Sequence, residues 1–222
     1  MIADASNQRV ALLAGATGLI GRELLQLLLN SAQYREVHVL LRRPLAGVAP
    51  QPKLQSHTVD FARLPTLPAL DDAFIALGTT IKVAGSEQAF RQVDFDFVVS
   101  VARAARAAGA TRLAVVSALG ADSASRVFYN RVKGEMQAAI AMLGFASVTF
   151  AQPSLLMGDR AALGQPVRAG EVWATRLLGP VMWLVPKGVR PIHAHDVAAA
   201  MLRAVADARP GVHGLSSGAM QP

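Results

Sequence analysis

The chain has 222 residues, 52% hydrophobic and 17% charged, which excludes a disordered polymer and allows one good-sized core or two small domains. It has no cysteine, which excludes disulfides and thiolate metal sites and leads to an expected cytoplasmic location. The net charge of +7 comes from arginines scattered over the whole chain, which reads as a solvated surface and argues against a nucleic-acid face.

The opening segment "MIADASNQRV" shows no charged-then-apolar signal pattern. "RVALLAGA" is an apolar run braked by glycine and reads as a buried strand, followed by "LIGRELLQLLLNS" at helical spacing. "EVHVLLRR" and "LQSHTVDF" read as the second and third strands, and "DAFIALGTT" as a fourth, broken by Gly78. A long helix is expected from Ser86, a good N-cap, to Gly109, a good C-cap. "TRLAVVSALGA" is a fifth strand, "SASRVFYNRVKGEMQAAIAMLG" a helix, and "ASVTFAQPSLLMG" a sixth strand stopped by Pro153. The late apolar run "VWATRLLGPVMWLV" is interrupted by Arg176 and the Gly179-Pro180 pair, so no membrane span is expected.

This alternation predicts an α/β fold, a doubly wound parallel sheet covered on both faces. We expect one domain over 1–222, with 155–190 forming a small substrate-pocket segment where the alternation lapses. Ligands of such sheets sit beyond the carboxyl ends of the strands. That rim collects residues 15–21, 78–80, 117–120 and 153–156.

Gly15, Gly18 and Gly21 form a G-x-x-G-x-x-G pattern between an apolar strand and an amphipathic helix. The first permits a tight turn, the second lets backbone approach a pyrophosphate, and the third lets helix and sheet pack closely. The helix N-terminus then offers N–H groups and a positive dipole end. A site for NAD would place an acid at the end of the second strand. Here Arg42 and Arg43 stand there, which suits a 2′-phosphate and therefore NADP(H).

Ser117 lies at the end of the fifth strand, and Tyr129 and Lys133 stand four apart on the next helix. In a carbonyl reductase, Tyr129 would be the general acid or base. Lys133 would stabilise its phenolate and could also hold the nicotinamide ribose, and Ser117 would polarise the substrate oxygen.

With these motifs the chain resembles the atypical or extended short-chain dehydrogenase/reductase superfamily over nearly its whole length. "FIALGTTIKVAGSEQAFRQVDFDFV", "VSALGAD", "YNRVKGE" and "RPIHAHDVAAAM" are similar to its small Tat-interacting-protein-like members. The resemblance implies a Rossmann fold, NADP(H) binding and a Ser117-Tyr129-Lys133 site. It also implies cofactor contacts from Thr17, Gly18, Leu19 and Ile20, and from Asp60 and Phe61 near the adenine. Leu77, Gly78 and Thr79 would lie near the ribose, and Pro153, Ser154 and Leu155 near the nicotinamide. The superfamily's catalytic asparagine has no assigned position, and its usual dimer face implies a monomer or homodimer.

Several side chains invite other readings. His193, His195 and Asp196 could hold a metal, but Asp196 reads better as a helix N-cap and no metal is expected. Glu87, Asp94 and Asp96 read as the solvated face of a helix, and Asp122 as a turn residue. Arg160 and Arg168 could hold an acidic substrate, though surface charge is the simpler reading. Trp173, Met182 and Trp183 could line an apolar pocket, with core as the default.

The expected function is an NADP(H)-dependent oxidoreductase acting on a small carbonyl or alcohol. Two alternatives stay open: an NADP(H)-binding sensor or scaffold without turnover, and a sugar-nucleotide epimerase or dehydratase. The second is disfavoured because only about seventy residues follow the sixth strand, where such enzymes carry a larger substrate domain.

Overall fold

Seven parallel strands form one sheet in the order β3-β2-β1-β4-β5-β6-β9. The computed structural model describes residues 8–44, 51–157 and 188–222. The strands are β1 Arg9–Ala14, β2 Tyr34–Leu41, β3 Leu54–Thr58, β4 Asp72–Ile75, β5 Arg112–Val116, β6 Ser147–Gln152 and β9 Gly211–Ser216. Two short strands, β7 Leu156–Met157 and β8 Ile192–His193, pair separately.

The helices are α1 Leu19–Asn30, α2 Ile81–Ala84, α3 Glu87–Arg91, α4 Val98–Ala107, α5 Phe128–Ala141, α6 Ala194–Asp207 and α7 Ser217–Met220. They cover both faces of the sheet. The two-residue period of β1 divides its side chains between two cores. Ala11 and Leu13 face the layer of α1 and α6 with Leu24, Leu28, Val197 and Met201. Leu12 and Ala14 face the layer of α4 and α5 with Val98, Val101, Met136 and Ile140. The strand order reverses between β1 and β4, which opens a crevice at their carboxyl ends.

The six expected strands and their alternation with helices are present. Three expectations need correction. The long helix from Ser86 is interrupted by a π-helical segment, Gln92–Phe97, between α3 and α4. Ser86 does cap its start, accepting from the Ala89 N–H at 3.1 Å. The helix carrying Tyr129 starts at Phe128, not near Ser123, because Asp122 and Ser125 hold the preceding residues in turns. The last helix starts at Ala194 with His193 as its N-cap, so Asp196 lies inside the first turn and caps nothing. Of the expected pocket segment 155–190, residues 158–187 lie outside the described residues. With them lie Arg160, Arg168, Trp173, Met182 and Trp183. Among the described residues no helix is long and apolar enough to cross a membrane.

Candidate functional site

The glycine loop joins β1 to α1 at the crevice. Gly15 has φ +93°, and a Cβ there would meet the Ala76 carbonyl carbon at 2.5 Å. Gly21 lies so close to the loop that a Cβ would stand 1.9 Å from the Gly15 oxygen. Gly18 differs: its nearest such neighbour is 3.5 Å away, an ordinary van der Waals contact, so this position is not closed off as Gly15 and Gly21 are. Gly18 is also the N-cap of α1. No side chain caps the helix, and no acidic residue sits in its first turn. The first N–H groups of α1 and the positive dipole end therefore stay available to an anion. This cradle fits the diphosphate of a dinucleotide. Thr17 is exposed and Leu19 half-buried, whereas the Ile20 side chain belongs to the core and presents only backbone to the loop.

Arg42 and Arg43 follow β2 directly and are exposed on the same rim. Asp60 and Phe61 follow β3. The Asp60 carboxylate accepts from the Ala62 N–H at 2.9 Å, and Phe61 packs against Phe97 at 5.8 Å in the core. Phe61 is 3% exposed, so its ring is a wall of the fold rather than a free stacking surface. Leu77, Gly78 and Thr79 leave β4 beside the glycine loop. Pro153, Ser154 and Leu155 leave β6, and hydrogen bonds fix all three. The Pro153 carbonyl accepts from the Leu119 N–H, the Leu155 carbonyl accepts from the Ile192 N–H, and the Ser154 hydroxyl donates to the Arg190 carbonyl.

Helix α5 presents Tyr129, Lys133 and Gln137 at four-residue spacing. Facing them, Phe90 and Asp94 are also four apart, across the junction of α3 and the π-helical segment. The Tyr129 ring lies 5.3 Å from that of Phe90, which is fully buried. The Lys133 ammonium pairs with the Asp94 Oδ1 at 2.8 Å, and both side chains are buried. Asp94 Oδ2 accepts from the Thr79 N–H at 2.8 Å. Gly78 closes against this pair: a Cβ there would stand 3.3 Å from Asp94 Oδ1 and 3.9 Å from Lys133 Nζ. Among the described residues the Tyr129 hydroxyl has no hydrogen-bond partner, so it is available to another group. The structure thus brings Tyr129 and Lys133 to one face, as their spacing predicts.

Ser117 is 3% exposed at the end of β5. Its oxygen accepts from the Gln137 amide at 2.6 Å. That bond occupies an acceptor site and leaves the Ser117 proton free to be donated elsewhere. Gln137 was not singled out from sequence, although its place eight residues after Tyr129 puts it on the same stripe. Gly134 was missed as well. A Cβ there would meet the Ser123 nitrogen at 2.1 Å, so glycine is what lets the loop before α5 lie flat on the helix.

Asp94 corrects an expectation. It is 1% exposed and ion-paired, not part of a solvated face, whereas Glu87 and Asp96 are exposed as expected. Asp122 holds a turn by accepting from the Ala124 N–H. His195 pairs with Glu23 at 3.0 Å, and His193 ends β8. Among the described residues no cluster of three His, Cys, Asp or Glu could hold a metal. A shallow concavity lined by Arg9, Arg35 and Asp71 lies at the amino edge of the sheet, the end opposite the glycine loop.

An all-parallel, doubly wound sheet with a glycine cradle at its switch point defines a Rossmann-type nucleotide-binding protein. Comparison with known proteins narrows the class. Residues 15–147 match the NAD(P)H-binding family, and the chain belongs to it. It is 33% identical to the mitochondrial protein FMP52 of Debaryomyces hansenii over 156 residues, which is 68% of each chain. It is 33% identical to HTATIP2 of Rattus norvegicus, covering 80% of this chain and 74% of that one. Its fold resembles the Bordetella bronchiseptica enzyme WbmG in complex with NAD, with TM-score 0.66 and 17% identity over 98% of this chain and 75% of that one. The chain is thus an atypical short-chain dehydrogenase/reductase-like, NAD(P)-binding protein of an oxidoreductase-like family. The expected cytoplasmic location is corrected by these relatives. Several are fungal FMP52 proteins named as mitochondrial. The absence of cysteine carries no address, because it is compatible with any compartment.

Proposed function

We propose that this protein is an NADP(H)-dependent oxidoreductase that reduces a small carbonyl or oxidises the matching alcohol. The observation that carries the reading is the Tyr129–Lys133 face. It closes on the same rim as the glycine cradle, with the lysine ammonium buried beside Gly78. In this reading the backbone of residues 15–21 holds the diphosphate, with Gly18 at closest approach. Arg42 and Arg43 hold the 2′-phosphate. Asp60 and Phe61 border the adenine, Leu77, Gly78 and Thr79 the ribose, and Pro153, Ser154 and Leu155 the nicotinamide.

The bound nicotinamide supplies the hydride chemistry. The chain supplies proton transfer and orientation. Tyr129 Oη gives its proton to the substrate oxygen on reduction and takes it back on oxidation. The Lys133 ammonium stabilises the phenolate that forms. Ser117, its acceptor side engaged by Gln137, donates its own proton to the substrate oxygen and polarises the carbonyl.

Tyr129→Phe tests the assignment against a panel of aldehydes and ketones. It is expected to bind NADPH within about twofold of the parent, and to lose turnover about 100-fold or more, the usual worth of a positioned acid. Undiminished turnover would remove Tyr129 from the mechanism. Tight NADPH binding by the parent protein without turnover of any carbonyl would favour a sensor.

A further inference from the structure

We infer that Asp94 is a positioning residue, whose carboxylate keeps the buried Lys133 side chain charged and fixed so that Tyr129 can act. The inference rests on the roles proposed above for Tyr129 and Lys133. A buried ammonium without a counter-ion tends to lose its proton. Lys133 is 3% exposed at its side chain, and its contacts are the Asp94 carboxylate at 2.8 Å and the Val116 carbonyl at 3.5 Å. The carbonyl contact is long, so Asp94 is the group that offsets the charge. Its second oxygen is spent on the Thr79 N–H. One carboxylate therefore ties the loop after β4 to the lysine of α5.

Asp94 lies within the π-helical segment Gln92–Phe97, four residues after Phe90, so the two side chains share one face. Phe90 meets Tyr129 while Asp94, one turn on, meets Lys133. The other charges on the elements packed around α5 are engaged or exposed. Arg91 pairs with Glu135, Arg131 lies over the Phe128 ring, and Arg106 donates to the Gly144 carbonyl. Asp96, Arg103, Asp122 and Arg126 are exposed.

The chain has two tyrosines, which makes the test direct. Tyr34 is fully buried and donates to Asp72, and burial pushes its phenol far above the usual range. The phenolate step that Y129F abolishes in an ultraviolet absorbance titration belongs to Tyr129. In D94N the lysine loses its counter-ion and its charge, so the absorbance midpoint is expected to rise by about one pH unit, towards that of K133M. In the K133M background, D94N has no lysine to act through and must not raise the midpoint. D94E, which keeps the carboxylate, is expected to restore the parental midpoint. A D94N midpoint that is unchanged or lowered, with a native circular dichroism spectrum, overturns the inference. Should D94N fail to fold, lysine side-chain nitrogen NMR of the parent protein decides it. A signal lost in K133M must be that of an ammonium at pH 8; a neutral amine there overturns the inference. The titration needs neither cofactor nor substrate, so an absence of turnover would leave it readable.

Discussion

The two ends of the sheet hold similar residues wired in opposite ways. At the amino edge, Tyr34 donates to Asp72 at 2.7 Å, and Arg9 and Arg112 close on the same carboxylate at 3.1 and 2.5 Å. Every strong group there has a partner, and both Tyr34 and Asp72 are fully buried. At the carboxyl rim, the acid Asp94 takes the lysine instead, and among the described residues the Tyr129 hydroxyl has no hydrogen-bond partner. A tyrosine, an acid and a cation make a structural clamp when the phenol is spent on the acid. The same three make a proton-transfer face when the acid is spent on the cation.

The largest expected effect falls on the clamp. Asp72→Ala leaves two guanidinium groups and a buried phenol without their common acceptor. It should lower stability in urea unfolding by about 3 kcal/mol, the scale for breaking a buried pair. NADPH affinity of the folded fraction should stay unchanged, because the clamp lies at the far end of the strands. A variant that keeps its stability but loses NADPH would reverse the roles of the two ends.

Next comes the cradle. Gly21→Ala would place a methyl group 1.9 Å from the Gly15 oxygen, so loop and helix must separate. NADPH binding should weaken about tenfold or more, with a stability loss of about 1 to 3 kcal/mol from overpacking. Near-parental affinity in fluorescence titration would show that the loop is only a turn.

The smallest effect sharpens the contrast between the tyrosines. Because burial and Asp72 raise the Tyr34 phenol, the folded state holds its proton more tightly than the unfolded chain. The stability that this contributes is fully present below the ordinary phenol value of 10.0 and is lost as pH rises above it. Tyr34→Phe should cost about 1 kcal/mol at pH 7, the worth of one hydrogen bond. It should also flatten the alkaline loss above pH 10. An equally steep alkaline decline in Tyr34→Phe would place the sensitive group elsewhere.

Much of this arrangement is legible in the sequence because it follows short periods. The apolar runs mark β1, β2 and β4, and the glycine spacing marks the cradle. The four-residue step from Tyr129 to Lys133 puts both on one helical face. Asp94 escaped because a charged side chain on a helix is usually solvated, and its counter-ion lies 39 positions away in sequence. The signal was present in weaker form: Asp94 stands one turn after Phe90, on the stripe that the core claims. The π-helical segment was invisible because it changes the helical period only locally. Strand β9 was missed because "GVHGLS" contains two glycines and lies at an exposed edge, where no apolar alternation is required.

In the proposed function the cradle and the arginine pair together select NADP(H). Calorimetric titration of the protein with NADPH and, separately, NADH tests it most directly, with Arg42→Ala/Arg43→Ala beside it. NADPH is expected to bind at least about tenfold tighter than NADH, a difference of about 1.4 kcal/mol that the double substitution abolishes. Equal affinity for the two nucleotides, or a preference for NADH, would contradict it.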